Sequence, residues 1–238
     1  MTTEERLEKL ELEIEEMKTL IRTKALCVLD DQGKERIKLV ADKDEAGLAI
    51  MDKNSQLRAI MIVAKDGPKM TVLDENGRLR AQTTVYDDVA GLAIMDKNGK
   101  SRATMGVVKD GPELTMNDKN GKSRTTMGVD KDAAMLFMLD ANGKTRATMI
   151  VDKDDVGLVI MDENGIDRTM MGMDKNGPRL CLKDENGKGR AMMTVDGDVA
   201  ELTMNDENGK PRAMMTEFKD VPGLAMFDED GKPIWQAP

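Results

Sequence analysis

The residues in this chain that could carry chemistry are aspartates ahead of an Asn-Gly pair, arginines three places beyond that glycine, and methionines in pairs. Asp-x-Asn-Gly invites a calcium reading, because calcium loops gather carboxylates and an Asn ahead of a Gly. The spacing is against it: Gly stands fourth, where an EF-hand loop needs it sixth, and no bidentate Glu follows at the twelfth place. The same residues are turn formers. The expected role of Asp96, Gly99 and Arg102, and of Asp118, Gly121 and Arg124, is therefore structural, with Asp accepting main-chain hydrogen bonds of its own turn and Arg pairing with a neighbouring turn's carboxylate. Met170 and Met171, Met192 and Met193, Met214 and Met215 alternate to opposite sides of a strand, so they do not converge on a soft metal. Histidine is absent, which removes imidazole acid/base, nucleophile-activating and zinc chemistry. No catalytic, cofactor-binding or metal-ligating residue and no cofactor is expected; an enzymatic site between chains is the least favoured reading.

These residues sit in a repeat. Asp recurs at 30, 52, 74, 96, 118, 140, 162, 184, 206 and 228, ten copies at a step of 22 residues. Gly keeps the same step except at Ser55, and Arg keeps it until Ile234. In residues 91–112 the unit reads as two apolar runs, 91–96 and 102–108, separated by Asp-Lys-Asn-Gly-Lys and closed by Lys-Asp-Gly-Pro. Asn-Gly supplies the positive φ of a tight hairpin turn, and Gly-Pro ends a strand. Leu92 and Ile94 share one face of the first strand; Ala103, Met105 and Val107 share one face of the second, with Arg102, Thr104 and Gly106 opposite. The period is two, so residues 25–238 are expected to be ten β-hairpins in an antiparallel meander with one apolar face.

Such a face needs a partner, since about 50 apolar side chains would otherwise meet water. Three copies packed around an axis would make a triangular β-prism; two would make a sandwich. The expectation is the homotrimer, because unbranched Met fills a tapered shared interior. Met149 then points inward and Thr148 outward. Irregular positions are Thr83, where Met is usual, and Glu217 with Phe218, where a bulge or register shift is expected. Phe218, Phe227 and Trp235 form either a C-terminal cap or a partner contact.

Residues 1–24 form the other domain. Leu7, Leu10, Ile14, Met17 and Ile21 follow the 3,4 spacing of a coiled-coil seam, with Leu20 widening it and Lys24 closing it. Arg6 with Glu11 and Glu13 with Lys18 attract across parallel, in-register helices, so the helix reads as a clamp that aligns the chains. The net charge of −9, dispersed in sign, is a poor match for nucleic acid, and no apolar run is long enough to span a membrane as a helix. The charged N-terminus lacks a signal-peptide pattern, so synthesis in the cytoplasm is expected, with a place in a virion or surface assembly. Cys27 and Cys181 occupy equivalent places seven units apart, too far to bridge within a chain, and are expected to be reduced thiols.

The heptad helix running into residues 22–40, followed by copies of Leu-x-Ile/Val/Met-x-Asp-x-x-Gly-x-x-Arg-Ala-x-Met, resembles a group of uncharacterised bacterial proteins with the same order of parts. The joining of a short coiled coil to a β-repeat rod is also similar to trimeric phage tail-fibre and spike stalks. That resemblance implies a structural stalk or spacer with an attachment partner at either end. The alternative is a multivalent glycan- or protein-binding module that uses the repeated outer face.

Overall fold

The computed structural model describes residues 2–19, 25–218 and 221–237. It is all-β with one N-terminal helix, α1 (Thr3–Thr19). A capping box starts the helix: the Thr2 hydroxyl accepts from the Glu5 N–H at 3.2 Å, and a Glu5 carboxylate oxygen accepts from the Thr2 N–H at 2.6 Å. On α1, Leu7, Leu10 and Ile14 are exposed, and so is Leu12 off the seam. Leu20, Ile21 and Lys24 of the expected seam lie outside the described residues.

Two compact units divide the chain, Met1–Asp87 with Lys97–Gly99, and Asp88–Asp96 with Lys100–Pro238. The first carries α1 and the strands β1 (Ala25–Leu29), β2 (Glu35–Ala41), β3 (Ala46–Met51), β4 (Leu57–Ala64), β5 (Gly67–Leu73) and β6 (Leu79–Tyr86). The second carries β7 (Val89–Met95), β8 (Ser101–Val108), β9 (Gly111–Asn117), β10 (Ser123–Asp130), β11 (Ala133–Leu139), β12 (Thr145–Val151), β13 (Val156–Met161), β14 (Asp167–Asp174), β15 (Gly177–Lys183), β16 (Gly189–Asp196), β17 (Val199–Asn205), β18 (Pro211–Phe218), β19 (Val221–Phe227) and β20 (Pro233–Ala237). The strands are antiparallel, and within each unit every strand pairs with its neighbours in sequence.

The hairpin turns differ from the expected tight pair of left-handed residues. In the Asp-x-Asn-Gly turn only the Gly has positive φ, 76° at Gly99 and 82° at Gly121, and Ser55 takes 59° in its place. The Gly121 N–H donates to the Asp118 carbonyl at 3.0 Å and the Asp118 N–H to the Lys122 carbonyl at 2.8 Å, so the loop is a five-residue turn closed by a left-handed Gly. At the opposite edge, Gly67, Gly111 and Gly177 have φ of 102° to 138°. A Cβ on Gly111 would sit 1.9 Å from the Val129 carbonyl oxygen, so the neighbouring strand's close approach requires glycine there.

Every hairpin contains a bulge that the sequence reading did not include. In the β7–β8 hairpin Ile94 faces Ala103, but the next pair is Met95 with Ser101, which leaves Arg102 extra. The same shift falls at Arg146, Arg168, Arg190 and Arg212, and at Ile234 in the β19–β20 hairpin. It has a geometric cause. The five-residue turn closes on an even sum of residue numbers, whereas bringing Ile94 opposite Ala103 needs an odd one; one inserted residue corrects the parity and keeps both strands' apolar residues on one side.

By contrast the expected irregularity at Glu217 and Phe218 is absent. Val199 with Phe218, Ala200 with Glu217 and Glu217 with Pro222 all sit in unbroken ladders, because Glu217 is exposed at the end of its strand and no burial penalty opposes it.

The described residues hold no buried hydrophobic core; only Thr148, 7% exposed, and Thr203, 3% exposed, are buried. The sheet has an open face, carrying Leu92, Ile94, Ala103 and Met105, and an opposite face that is half-buried. Thr148 and Met149 thus reverse the expected order within the single chain, for Met149 is 45% exposed. Thr148 is short and lies between Phe137 and Val159 on adjacent strands, and Thr203 lies between Met192 and Met214, so longer cross-strand neighbours cover both.

Candidate interaction surface

The bulged arginines link each hairpin to the next. Arg102 Nε donates to the Asn117 carbonyl at 3.2 Å, Arg124 to Leu139 at 2.8 Å, Arg146 to Met161 at 3.0 Å and Arg190 to Asn205 at 3.0 Å. These carbonyls belong to the last residue of the following hairpin's first strand, beyond the point where its ladder to the Arg-bearing strand ends. The guanidinium thus replaces a strand pairing that the bulge interrupts.

The same guanidinium approaches the Asp of its own turn, at 3.6 Å for Arg102 and Asp96 and 3.8 Å for Arg146 and Asp140. This corrects the expected pairing with a neighbouring turn's carboxylate. The hairpin brings Arg back beside its own Asp, and the neighbour instead offers a main-chain oxygen. Arg58 also pairs with Asp52, but a terminal guanidinium nitrogen donates one residue farther on, to the Asp74 carbonyl of the next turn.

The turn aspartates accept hydrogen bonds as expected. Asp118 Oδ1 takes the N–H groups of Asn120 at 2.7 Å and Lys122 at 3.1 Å, and Asp96 Oδ1 takes that of Lys100 at 3.1 Å. The N–H of Arg78 holds the Asp74 carboxyl below the ordinary 3.8, and the N–H of Lys210 does so for Asp206. For Asp118 and Asp140 desolvation pushes the other way, but main-chain donors and the nearby Arg outweigh it.

A second contact stacks successive turns. Lys144 Nζ donates to the Glu163 carbonyl at 2.9 Å, Lys188 to Glu207 at 2.8 Å and Lys210 to Glu229 at 2.9 Å. The sequence analysis missed these lysines; their signal was present in a cation that recurs directly after the turn Gly. Among the described residues no cluster of His, Cys, Asp and Glu could hold a metal ion, and no helix is long and apolar enough to cross a membrane.

The open face is the largest unsatisfied feature. Met105, Met127, Met149, Met171, Met193 and Met215 form a row across it, each 45% to 56% exposed. Their pair partners Met170, Met192 and Met214 are half-buried on the opposite face, so the paired methionines do diverge. Among the described strand residues from Ala90 to Ala237, those of the open face include one charge, Glu217.

Phe227 and Trp235 share the β19–β20 hairpin, where Trp235 pairs with Met226 and is 48% exposed. Phe218 pairs with Val199 and Val221 through its main chain. Cys27 is exposed, Cys181 is half-buried, and both thiols are free.

No family model and no curated protein matches the chain. Among solved structures, a functionally unknown protein from Desulfotomaculum acetoxidans DSM 771 aligns over 90% of this chain and 92% of its own, at 8% identity and a TM-score of 0.20. Hsv2 from Kluyveromyces lactis aligns over 85% of this chain and 95% of its own, at 7% identity and a TM-score of 0.20. The TcdB2-TccC3 structure aligns over 88% of this chain and 15% of its own, again with a TM-score of 0.20. At that score the alignments carry no argument about this chain.

Proposed function

We propose that the protein is a structural rod or spacer that works as a homotrimer, its open faces packed together around one axis and its N-terminal helices clamping the chains in register. The observation that carries this reading is area. The chain exposes 17210 Å², whereas a folded monomer of its mass exposes about 10,600 Å². The surplus of about 6,600 Å² includes an apolar face without a core beneath it, which the hydrophobic effect drives against another apolar surface.

The exposed Leu7, Leu10 and Ile14 of a helix too short to be stable alone point the same way. Uniform hairpins, fixed turn chemistry and the lack of a singular site suit a stalk of a tail fibre or surface assembly, whose length matters more than any one residue. The multivalent-binder alternative has less support, because the repeated turn lysines already serve neighbouring carbonyls.

Removing one repeat tests the reading. Deleting residues 135–156 joins Ala134 to Gly157 in the same register and leaves Arg124 facing Met161 in place of Leu139. A folded rod shorter by about 10 Å, with its attachments at both ends intact, is expected. Partner binding that falls in proportion to repeats removed would support the binder and overturn the spacer.

A further inference from the structure

We infer that the open faces of the copies meet in parallel and in register, the large end of each strand against the small end of the same strand in the next copy. This deepens the homo-oligomer proposed above and rests on it. Along β11 the open face begins with Ala134 and ends, at the Asp-turn edge, with Met138; along β12 it begins at that edge with Ala147 and ends with Val151. Met138 is 48% exposed and Val151 42%; Ala134 is exposed and Ala147 half-buried, and each carries only a methyl group on the face. β15 repeats the pattern with Pro178 and Leu182. These strands therefore each have one bulky and one slight end, and the order reverses from β11 to β12; β13, with Val156 and Ile160, is branched at both ends.

The occupant is another copy for two reasons. The surplus of about 6,600 Å² is several times the roughly 1,600 Å² of a standard interface, so a peripheral contact would not cover it. An almost uncharged face repeating every two strands, about 9.6 Å, is matched in chemistry and period by the same face of a second chain. Orientation follows from packing. With a cyclic axis along the direction in which strands stack, each strand stands level with its counterpart, and the Asp-turn edge of one sheet meets the opposite edge of the next. Met138 then meets Ala134, and one layer on Val151 meets Ala147, so both layers fill evenly. Antiparallel docking about an axis along the strands would set like edges together.

Disulfide trapping in the full chain, with Cys27→Ser and Cys181→Ser, tests the inference. Ala134 and Met138 lie four residues apart on one strand, about 13 Å, beyond the roughly 7 Å that a disulfide allows, so Ala134→Cys with Met138→Cys can bridge only between chains. Oxidation should shift the denaturing-gel band from one chain to three, and Pro178→Cys with Leu182→Cys should repeat the shift in another hairpin. Each single variant should remain one chain. Pairs formed by Met138→Cys alone would show like edges meeting and overturn the inference. Absence of linkage in both double variants, with light scattering still reporting several chains, would overturn the register and leave the oligomer standing. A single chain under reducing conditions would overturn the oligomer itself and the inference with it.

Discussion

Replacing Arg146 tests whether the bulge is a structural joint or an incidental kink. Its Nε donates to the Met161 carbonyl at 3.0 Å, and its guanidinium lies 3.8 Å from Asp140. The two side chains of the ion pair are 39% and 20% exposed, so solvent screens it to about 0–1 kcal/mol. The hydrogen bond from a charged donor is worth about 1.5–3 kcal/mol, because the Met161 carbonyl has no ladder partner on β12. Arg146→Ala should therefore cost about 2 kcal/mol, read from the urea midpoint by circular dichroism at one fixed protein concentration. Arg146→Lys keeps the charge but cannot hold both contacts with one ammonium, and should recover about half. A cost below about 0.5 kcal/mol for Ala, or full recovery by Lys, would refute the joint.

Thr148→Asp should lower stability by several kcal/mol with the chains still assembled, since it places a carboxylate in one of the two buried positions among the described residues, whereas Met149→Asp should abolish assembly; native mass with urea unfolding separates the two effects, and equal outcomes would refute the assignment of faces. Gly111→Ala should cost about 1–3 kcal/mol or more by thermal unfolding, because its φ is 138° and the Val129 oxygen occupies the space of a Cβ; an unchanged midpoint would contradict that packing. Acid should also weaken the fold. Asp74, Asp162 and Asp206 titrate below their ordinary 3.8 when folded, so their stabilisation is complete above the unfolded value and is lost as pH falls through the lower folded one. The urea midpoint should stay level from pH 7 to about 5 and fall below about 4, and Asp74→Asn should flatten that fall; an equal acid loss in the variant would refute the turn's role.

Much of the fold was legible because the repeat averages out local ambiguity: ten aligned copies make the period of two and the turn positions plain. The bulge was legible too, had parity been followed, since Ile94 and Ala103 can share a face after the Asp96 to Lys100 turn only with one inserted residue. The burial of Thr148 was not legible, as it depends on the lengths of Phe137 and Val159 across two strands and not on alternation. Nor was the partner of Arg102, because a hairpin returns it to its own Asp96 while a side-chain pattern says nothing of main-chain acceptors such as the Asn117 carbonyl. The irregular Glu217 drew attention by its charge, yet a charge at an exposed strand end needs no change of register.

The most direct measurement of the central claim is the solution mass of the full chain by light scattering over a wide range of concentration. Three chains of 26.3 kDa at every concentration are expected, because the folded chain leaves its open face uncovered. A stable, folded single chain would contradict the claim.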